Sequence, residues 1–272
     1  MMLDGKILAE GLGLLSGKPC RLTLEPCATY EIILFSQGNA SPLRLLRTLG
    51  TNRGSDYIFP DGKAVRTCEH VLSALYGLGI YWGVSIHVDG GEMPALDGCA
   101  EYLCSQLLKH SIEGERPVKP VEVKKPFMVK SEDGKRFITA FPSNCLRITY
   151  IVEYDNVGTQ MYDYVHTPHD YINEIMRART FAVKSEIEYL RSHGMALGGS
   201  LENAVLIGDN EGEIYAKNGL RWNNEFVRHK ILDLIGDLAS LGRPLNAHIT
   251  AVKAGHELHL KLAEKLKEDI YV

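Results

Sequence analysis

One histidine and two aspartates are spaced one helical turn apart in the segment RHKILDLIGDL, residues 228–238. His229, Asp233 and Asp237 occupy positions i, i+4 and i+8, which places them on one side of an α-helix. The remaining residues already give this helix a broad apolar face. A solvent-exposed face with a single His–Asp pair would also produce this spacing, and for the segment alone that explanation is favoured. A second group of residues must decide between it and a reactive site.

That second group is Glu69 and His70, near the start of the apolar segment TCEHVLSALYGLG, residues 67–79. Taken alone, a histidine at a helix start is more simply explained by hydrogen bonds to backbone carbonyls. Aligning His70 with His229, however, also aligns Leu75 with Leu234 and Gly77 with Gly236. One strand of similar character follows each segment. The pattern suggests an internal duplication that brings the two histidines together on paired helices.

Two imidazoles and one carboxylate are a ligand set for a divalent metal. His70, His229 and Asp233 would supply three protein ligands, and catalytic zinc sites keep a fourth position open for water. Zinc lowers the pKa of such a water from about 15.7 towards about 7. Glu69 lies next to a ligand but points about 100° away around the helix, so it is a candidate general base. Iron(II) is an alternative ion, because such ligands accept both metals.

A further histidine follows a glycine at the end of a predicted strand. His256, in the run Ala254-Gly255-His256, is a candidate proton donor. Asp237, one turn beyond Asp233, could hold its other ring nitrogen and favour the charged imidazolium. An ordinary loop histidine is the alternative explanation.

The composition excludes several classes of protein. The 272 residues are 45% hydrophobic and 24% charged, which is typical of globular domains rather than disordered chains. The six cysteines form no C-x-x-C pair, so neither a thiolate zinc site nor a dithiol redox site is predicted. A net charge of −4 disfavours nucleic acid as a partner. No stretch is apolar enough for a membrane span, and charges interrupt the N-terminal region, so we expect a cytoplasmic location.

The pattern of elements predicts an α+β fold of two similar halves. Predicted strands cover 6–15, 20–25, 31–36, 83–88, 126–130, 136–141, 146–154 and 247–254. Predicted helices cover 67–79, 100–110 and 223–241, with another starting near 170. Thr67 and Asp97 are the expected helix caps, and residues 132–134 the expected hairpin turn. Because residues 111–125 have the composition of a connector, we predict domains at 1–117 and 118–272. A site is expected at the seam between them.

Seven segments in this order and spacing resemble one family closely, and the resemblance covers nearly the whole chain. They are GLGLLSGK (11–18), TCEHVLSALYGLGI (67–80), EMPALDG (92–98), ARTF (178–181), GGSLENAVL (198–206), GLRWNNEFVRHKILDLIGDL (219–238) and AGHELHLKL (254–262). The family is the UDP-3-O-acyl-N-acetylglucosamine deacetylases, the zinc amidases of lipid A biosynthesis. No single segment would be specific enough.

The resemblance implies a fold, a reaction and a set of roles. It implies two pseudo-symmetric domains, each layering a sheet on helices, with a small sheet inserted in the first and a βαβ unit inserted at about 181–212. The activity would release acetate from an acylated UDP-amino sugar. Zinc would be bound by His70, His229 and Asp233, with Glu69 as general base and His256 as the charged acid. Thr180 would help stabilise the oxyanion, Lys230 would stand near the substrate, and Asp237 would orient the acid.

The second insert would also shape an apolar passage for the fatty acyl chain. The residues assigned to this substrate region are Phe181, Ile187, Met195, Gly198, Ala204 and Val205, with Glu186 towards the nucleoside. Ordinary core packing is the alternative explanation for the apolar members. A product carrying a fatty chain would also make transient contact with a membrane surface.

Three positions depart from the family pattern. Leu15 replaces a common histidine, Cys99 a serine and His259 an asparagine, but no expected metal ligand or base is lost. The departures leave a second hypothesis open, a zinc deacetylase of another N-acetylated sugar. A ligand-binding regulator without catalysis is a third, although such proteins usually lack a ligand or the base.

Overall fold

The computed structural model describes residues 1–51, 53–114 and 118–270. In the first half, two helices and ten strands follow one another along the chain. They are β1 (Met2–Leu3), β2 (Ile7–Leu12), β3 (Pro19–Pro26), β4 (Ile32–Ser36), β5 (Asn39–Pro42), β6 (Arg47–Thr51), β7 (Gly54–Ile58), β8 (Ala64–Val65), α1 (Glu69–Gly77), β9 (Val84–Asp89), α2 (Glu101–Lys109) and β10 (Ser111–Ile112). A 3₁₀ turn covers Leu43–Leu45.

The second half repeats this mixture of strands and helices. Its elements are β11 (Val121–Glu122), β12 (Phe127–Lys130), β13 (Phe137–Pro142), β14 (Leu146–Tyr154), β15 (Gly158–Val165), α3 (Pro168–Asp170), β16 (Phe181–Val183), α4 (Lys184–Ser192), β17 (Val205–Ile207), β18 (Ile214–Tyr215), α5 (Glu225–Leu238), β19 (Leu245–Val252) and α6 (His256–Ile270). A π-helical turn, Tyr171–Ile175, follows α3, and a 3₁₀ turn, Ala239–Leu241, follows α5.

The two main sheets have the same topology. The first has the strand order β2-β3-β9-β4-β5, and the second has the corresponding order β12-β13-β19-β14-β15. In both, the inner parallel pair is flanked by antiparallel neighbours. A short strand, β11, extends the second sheet by pairing with β19. The corresponding strand orders confirm an α+β fold of two similar halves, each with a sheet layered on helices.

Alternating side chains explain why one face of each sheet is buried. In β3, Cys20, Leu22 and Leu24 point into the core, whereas Arg21 and the residues that alternate with it face outward. Strand β19 shows the same alternation, with Ala247 and Ile249 fully buried. One continuous hydrophobic core collects residues from both halves.

Helices α1 and α5 pack against each other at the seam between the halves. The Ser73 hydroxyl on α1 donates a hydrogen bond to the Leu232 carbonyl on α5, at 2.8 Å. A side chain at Gly236 would bring its Cβ within 2.0 Å of the Glu69 carbonyl oxygen. The absence of a side chain there lets the backbones approach closely, and the two histidine-bearing turns lie side by side.

Two small sheets extend towards this seam, one from each half. Strands β6, β7 and β8 form the first, and β16, β17 and β18 form the second. Strands β16 and β17 are parallel and joined through α4, so residues 181–207 form a βαβ unit. No helix in the described part of the chain is long and apolar enough to cross a membrane.

Several local predictions were wrong or incomplete. Thr67 does not cap α1, because the helix begins after Cys68 and Thr67 adopts a left-handed φ of 52°. The helix expected near residue 170 is one turn of α-helix followed by the π-helical turn. Sequence patterns also missed β15 and the strands β5 to β8. The predicted domain boundary adjoins residues 115–117, which lie outside the described residues.

Candidate active site

A cleft of about 650 Å³ opens at the seam, beside the first turns of α1 and α6 and the second and third turns of α5. Both small sheets contribute to its walls. The polar residues at its base come from three helices and one strand end, and they include Glu69, His70, Thr180, His229, Lys230, Asp233 and His256. Residues distant in sequence therefore converge on one cavity.

Two histidines and one aspartate form the innermost group. The Nε2 atoms of His70 and His229 lie 3.6 Å and 3.2 Å from Oδ1 of Asp233. One ligand atom from each residue lies within 4.8 Å of the others. The other nitrogen of His229, Nδ1, lies 3.0 Å from the Ala178 carbonyl oxygen. Because a carbonyl only accepts, Nδ1 carries the proton and Nε2 keeps a free lone pair towards the aspartate.

The hydrogen bonds of this group leave a place for a cation. Oδ1 of Asp233 is buried and accepts no hydrogen bond from any residue the structure describes. Oδ2 accepts from Nζ of Lys230 at 2.8 Å. Burial lowers the pKa of His229 to about 3, so this ring stays neutral. A buried carboxylate oxygen without a donor, facing two imidazole nitrogens, fits a divalent metal ion.

Glu69 lies beside the group as a buried carboxylate with a single backbone donor. The Ser55 N–H donates to its Oε2 at 2.8 Å, and the side chain lines the cleft. Burial raises the pKa of Glu69, although the neighbouring His256 and His70 oppose this shift. A carboxylate with a raised pKa is suited to accept a proton near neutral pH.

His256 is the first residue of α6 and faces the same base. Its Nδ1 donates to Oδ2 of Asp237 at 2.9 Å, and its Nε2 lies 3.6 Å from Oδ2 of Asp233. Burial alone lowers the pKa of His256, but the two carboxylates outweigh burial and raise it to about 9. The ring is therefore an imidazolium at neutral pH, with Nε2–H available to the cleft.

Asp237 has two further partners that the sequence did not predict as site residues. His259 was noted only as a departure from a family pattern, yet its Nδ1 lies 2.7 Å from the same Oδ2 of Asp237. Ser55 donates its hydroxyl proton to the other oxygen, Oδ1. A serine in a short hairpin has no distinctive spacing, so no sequence signal pointed to it.

Thr180 and Lys230 both border the cleft. The Thr180 N–H donates to the Gly98 carbonyl at 2.7 Å, which fixes the end of the ARTF segment against the first half. Nζ of Lys230 lies 5.6 Å from the ring centroid of Phe181 as well as next to Asp233. Burial opposes the charge of Lys230, but the Asp233 carboxylate raises the pKa above its ordinary value.

The second insert supplies most of the apolar wall. Phe181, Ile187, Ala204 and Val205 line the cleft, together with Leu190, Ala196, Leu201 and Leu206. Among the described residues of the insert, Met195 and Gly198 do not line it. A Cβ at Gly198 would lie 2.2 Å from the Gly13 carbonyl oxygen, so this glycine permits a backbone contact with the first half. Glu186 lines the cleft and pairs with Arg53.

Four basic side chains at dispersed sequence positions also border the cleft. They are Arg53, Arg136, Arg191 and Lys253. Because they come from different elements and form no run, the sequence pattern could not reveal them. Arg53, Arg136 and Lys253 each pair with a carboxylate, of Glu186, Glu257 and Glu153 respectively, which offsets part of their charge.

Comparison with known proteins assigns the chain to a family. The model of the UDP-3-O-acyl N-acetylglycosamine deacetylase family matches residues 2–268. The chain belongs to this family. Two relatives are named UDP-3-O-acyl-N-acetylglucosamine deacetylase and are each 37% identical to this chain. The relative from Campylobacter hominis is aligned over 97% of this chain and 90% of its own length. The relative from Geobacter sp. strain M21 is aligned over 97% of this chain and 87% of its own length. A third with that name, from Wolinella succinogenes, is 38% identical over 95% of this chain and 87% of its own.

Membership of the deacetylase family confirms the resemblance inferred from the seven segments. Enzymes of this family are metal-dependent hydrolases. The fit of His70, His229 and Asp233 to a cation, found from the orphaned Oδ1 of Asp233, agrees with that class.

Proposed function

We propose that this chain hydrolyses the acetamide of UDP-3-O-acyl-N-acetylglucosamine, giving the free amine and acetate in lipid A biosynthesis. The observation that carries this proposal is the buried set of His70, His229 and Asp233, placed between a carboxylate and a charged histidine at the base of one cleft. The similarity to relatives named UDP-3-O-acyl-N-acetylglucosamine deacetylase supports this substrate.

His70, His229 and Asp233 would hold zinc, or iron(II) as the alternative ion. The bound ion would supply a Lewis acid at the base of the cleft. The hydrogen bond from His229 Nδ1 to Ala178 and the contact of Lys230 with Oδ2 of Asp233 orient two of the three ligands. Contacts within the chain therefore hold His229 and Asp233 in a fixed orientation.

Glu69 and His256 divide the proton transfers. Glu69 accepts a proton from the water molecule whose oxygen forms the new bond to the acetyl carbon. His256, charged through its hydrogen bond to Asp237, donates a proton from Nε2 to the sugar nitrogen as the C–N bond breaks. The products are acetate and the amine.

Thr180 and Lys230 act on charge that develops during the reaction. Both side chains border the base of the cleft, beside Asp233 and His229. A hydroxyl and an ammonium group placed there stabilise negative charge on the acetamide oxygen, as in an oxyanion hole. Asp237 does not touch the substrate in this proposal and acts through His256.

The cleft offers different surfaces to the two ends of the substrate. The fatty acyl chain packs against the apolar wall that contains Phe181, Ile187 and Ala204. The diphosphate lies towards the basic residues Arg53, Arg136 and Lys253. The acylated product makes transient contact with a membrane surface.

Acetate release from UDP-N-acetylglucosamine, with and without a 3-O-acyl chain, tests this proposal when the metal content of the same preparation is measured. We expect metal-dependent release that requires the acyl chain. Equal activity without the acyl chain would favour the deacetylase of another N-acetylated sugar. No release from either compound by metal-loaded protein would overturn the proposal.

A further inference from the structure

Ser55 lies between the two groups assigned to proton transfer, although it belongs to neither. It is in β7, is fully buried, and pairs with Gly50 of β6 across the hairpin. Its backbone N–H donates to Oε2 of Glu69, and its hydroxyl donates to Oδ1 of Asp237. One residue of the first small sheet therefore contacts both carboxylates.

Two glycines allow the hairpin to reach this position. A Cβ at Gly50 would lie 2.3 Å from the backbone nitrogen of Glu257, at the start of α6. A Cβ at Gly54 would lie 2.9 Å from Oε1 of Glu69, on α1. A side chain at Gly50 would therefore collide with the backbone of α6, and one at Gly54 would crowd the Glu69 carboxylate.

The directions of the hydrogen bonds follow from the donors available. A carboxylate only accepts, so His256 donates from Nδ1 to Oδ2 of Asp237, and Ser55 donates its single hydroxyl proton to Oδ1. The Ser55 oxygen also lies 3.1 Å from Nδ1 of His256, where it can accept a share of the same N–H. The hydroxyl therefore fixes both the carboxylate plane and the imidazole ring.

His259 competes with His256 for the Asp237 carboxylate, so the orientation of this carboxylate matters. It shares Oδ2 of Asp237 with His256, and its Nε2 lies 2.9 Å from the Tyr150 hydroxyl. Without the Ser55 hydroxyl, the buried Oδ1 would lack its donor, and the carboxylate would be free to turn towards His259. His256 would then lose the alignment that directs its Nε2 into the cleft.

We propose that Ser55 is a positioning residue that aligns Glu69 through its backbone N–H and His256, by way of Asp237, through its hydroxyl. This inference rests on the proposed function, which assigns the two proton transfers. Ser55 is not among the cleft-lining residues in the described chain. Its loss should therefore affect turnover rather than substrate binding.

Steady-state kinetics of the metal-loaded protein provide the first test. Ser55→Ala should lower kcat by about 10- to 100-fold, the usual effect of losing an orienting partner, and leave KM and metal content within about twofold of wild type. Ser55→Thr retains the hydroxyl and should recover most of the turnover. The control is Ser36→Ala, which removes another buried hydroxyl, bonded to the Val88 carbonyl in the first main sheet. It should leave kcat unchanged.

The proton on Nδ1 of His256 provides a second readout that does not depend on turnover. In histidine-labelled, zinc-loaded protein, Ser55→Ala should shift or broaden the Nδ1–H resonance of His256, whereas Ser55→Thr and Ser36→Ala should not. If Ser55→Ala fails to fold, Ser55→Cys, with a thiol of similar size that donates weakly, takes its place.

The proposal is overturned if folded Ser55→Ala has wild-type kcat and an unchanged resonance, or if folded Ser55→Thr is as impaired as Ser55→Ala. Failure of the proposed function is a different result. In that case wild-type protein releases no acetate, while the resonance comparison still reports whether Ser55 orients His256.

Discussion

The Asp233 carboxylate shows how each residue at the base of the cleft is defined by its partners. Oδ2 is neutralised by Lys230, whereas Oδ1 faces two imidazole nitrogens and has no donor within the described chain. Two oxygens of one side chain thus have different chemical tasks. Removing any of the three candidate ligands should therefore affect metal binding before it affects the fold.

We predict that His70→Ala, His229→Ala and Asp233→Ala each lose bound metal and nearly all activity, because two remaining ligands hold zinc poorly. Metal analysis of the purified variants, with circular dichroism to show that they are folded, tests this prediction. His87→Ala, which changes a half-exposed histidine of β9, is the control and should retain the metal. Retention of one equivalent of metal by all three ligand variants would show that the ion binds elsewhere.

Glu69→Ala and His256→Ala should behave differently, because they leave the three ligands in place. We expect metal-loaded proteins whose turnover falls by about 10²- to 10⁴-fold, as is typical when a general acid or base is lost. Metal content and kcat measured on the same sample separate these variants from the ligand variants. Wild-type turnover in Glu69→Ala would exclude this residue as the base.

The residues of this site differ in how far the sequence could predict them. His229, Asp233 and Asp237 were predictable because helical spacing puts them on one stripe, and the internal alignment added His70. Ser55 was not predictable, since its role depends on a hairpin approaching two helices from outside. Asp237 was predicted to orient His256, but its contact with His259 arises from the next turn of α6, where His259 was noted only as a change of residue type.

At the scale of elements, helices were predicted better than the strands that position them. The apolar period gave α1 and α5 with ends correct to a few residues. The hairpin β6–β7 was missed, because its sequence, RTLGTNRGSDYI, contains two glycines and no clear alternation. At Gly50, a side chain would collide with the backbone at the start of α6, a contact that only the folded chain reveals.

The contact between α1 and α5 should be sensitive to a single methyl group. Gly236→Ala would place a Cβ about 2.0 Å from the Glu69 carbonyl oxygen, so the helices must move apart. We expect the free energy of unfolding to fall by about 1–3 kcal/mol, and kcat to fall because Glu69 moves with its helix. Chemical denaturation and kinetics measure the two effects. In the control Gly114→Ala, the new Cβ meets only ordinary contacts, so both quantities should change little.

His166, just after β15, should make the fold sensitive to mild acid. Burial lowers its pKa from 6.5 to about 4, which means that the unfolded chain binds the proton more readily than the folded chain. The stabilising contribution of the neutral ring is therefore present above pH 6.5 and is lost as the pH falls towards 4. Denaturation between pH 7 and pH 4 should show a shallower loss of stability in His166→Gln. A dependence of stability on pH that is the same in His166→Gln as in the wild type would contradict this role of His166.

At the scale of the whole molecule, the two halves contribute unequal parts of one site. Glu69, His70 and Ser55 come from the first half, and His229, Asp233 and His256 from the second. The similarity of the two halves was detectable from three identities and a shared order of elements, and the two main sheets have matching strand orders. The basic residues around the cleft were not detectable, because only the folded arrangement brings Arg53 and Lys253 to the same cavity.

The apolar wall of the cleft leads to a prediction about the acyl chain of the substrate. If the acyl chain packs against the apolar wall, shortening it by two methylenes should lower kcat/KM about tenfold, since each buried CH₂ contributes about 0.8 kcal/mol. Ala204→Trp narrows the cleft at this wall and should lower kcat/KM more for substrates with long acyl chains than for those with short ones. Met195→Trp, at a residue that does not line the cleft, is the control. A flat dependence of kcat/KM on chain length in the wild-type enzyme would contradict an acyl-binding role for the insert.

The packing of α1 against α5 has a consequence for symmetry. Two identical half-chains meeting at these helices would have to present the same side chains from both sides. In the continuous chain, the position equivalent to Asp233 is Ala74, and the position equivalent to Glu69 is Arg228. The paired histidines are the part of the centre that a symmetric dimer could also supply. Because both halves are joined in one polypeptide, α5 can carry a carboxylate ligand, Asp233, while α1 carries a proton acceptor, Glu69. The two sides of the centre therefore differ, and a substrate can bind in one defined orientation.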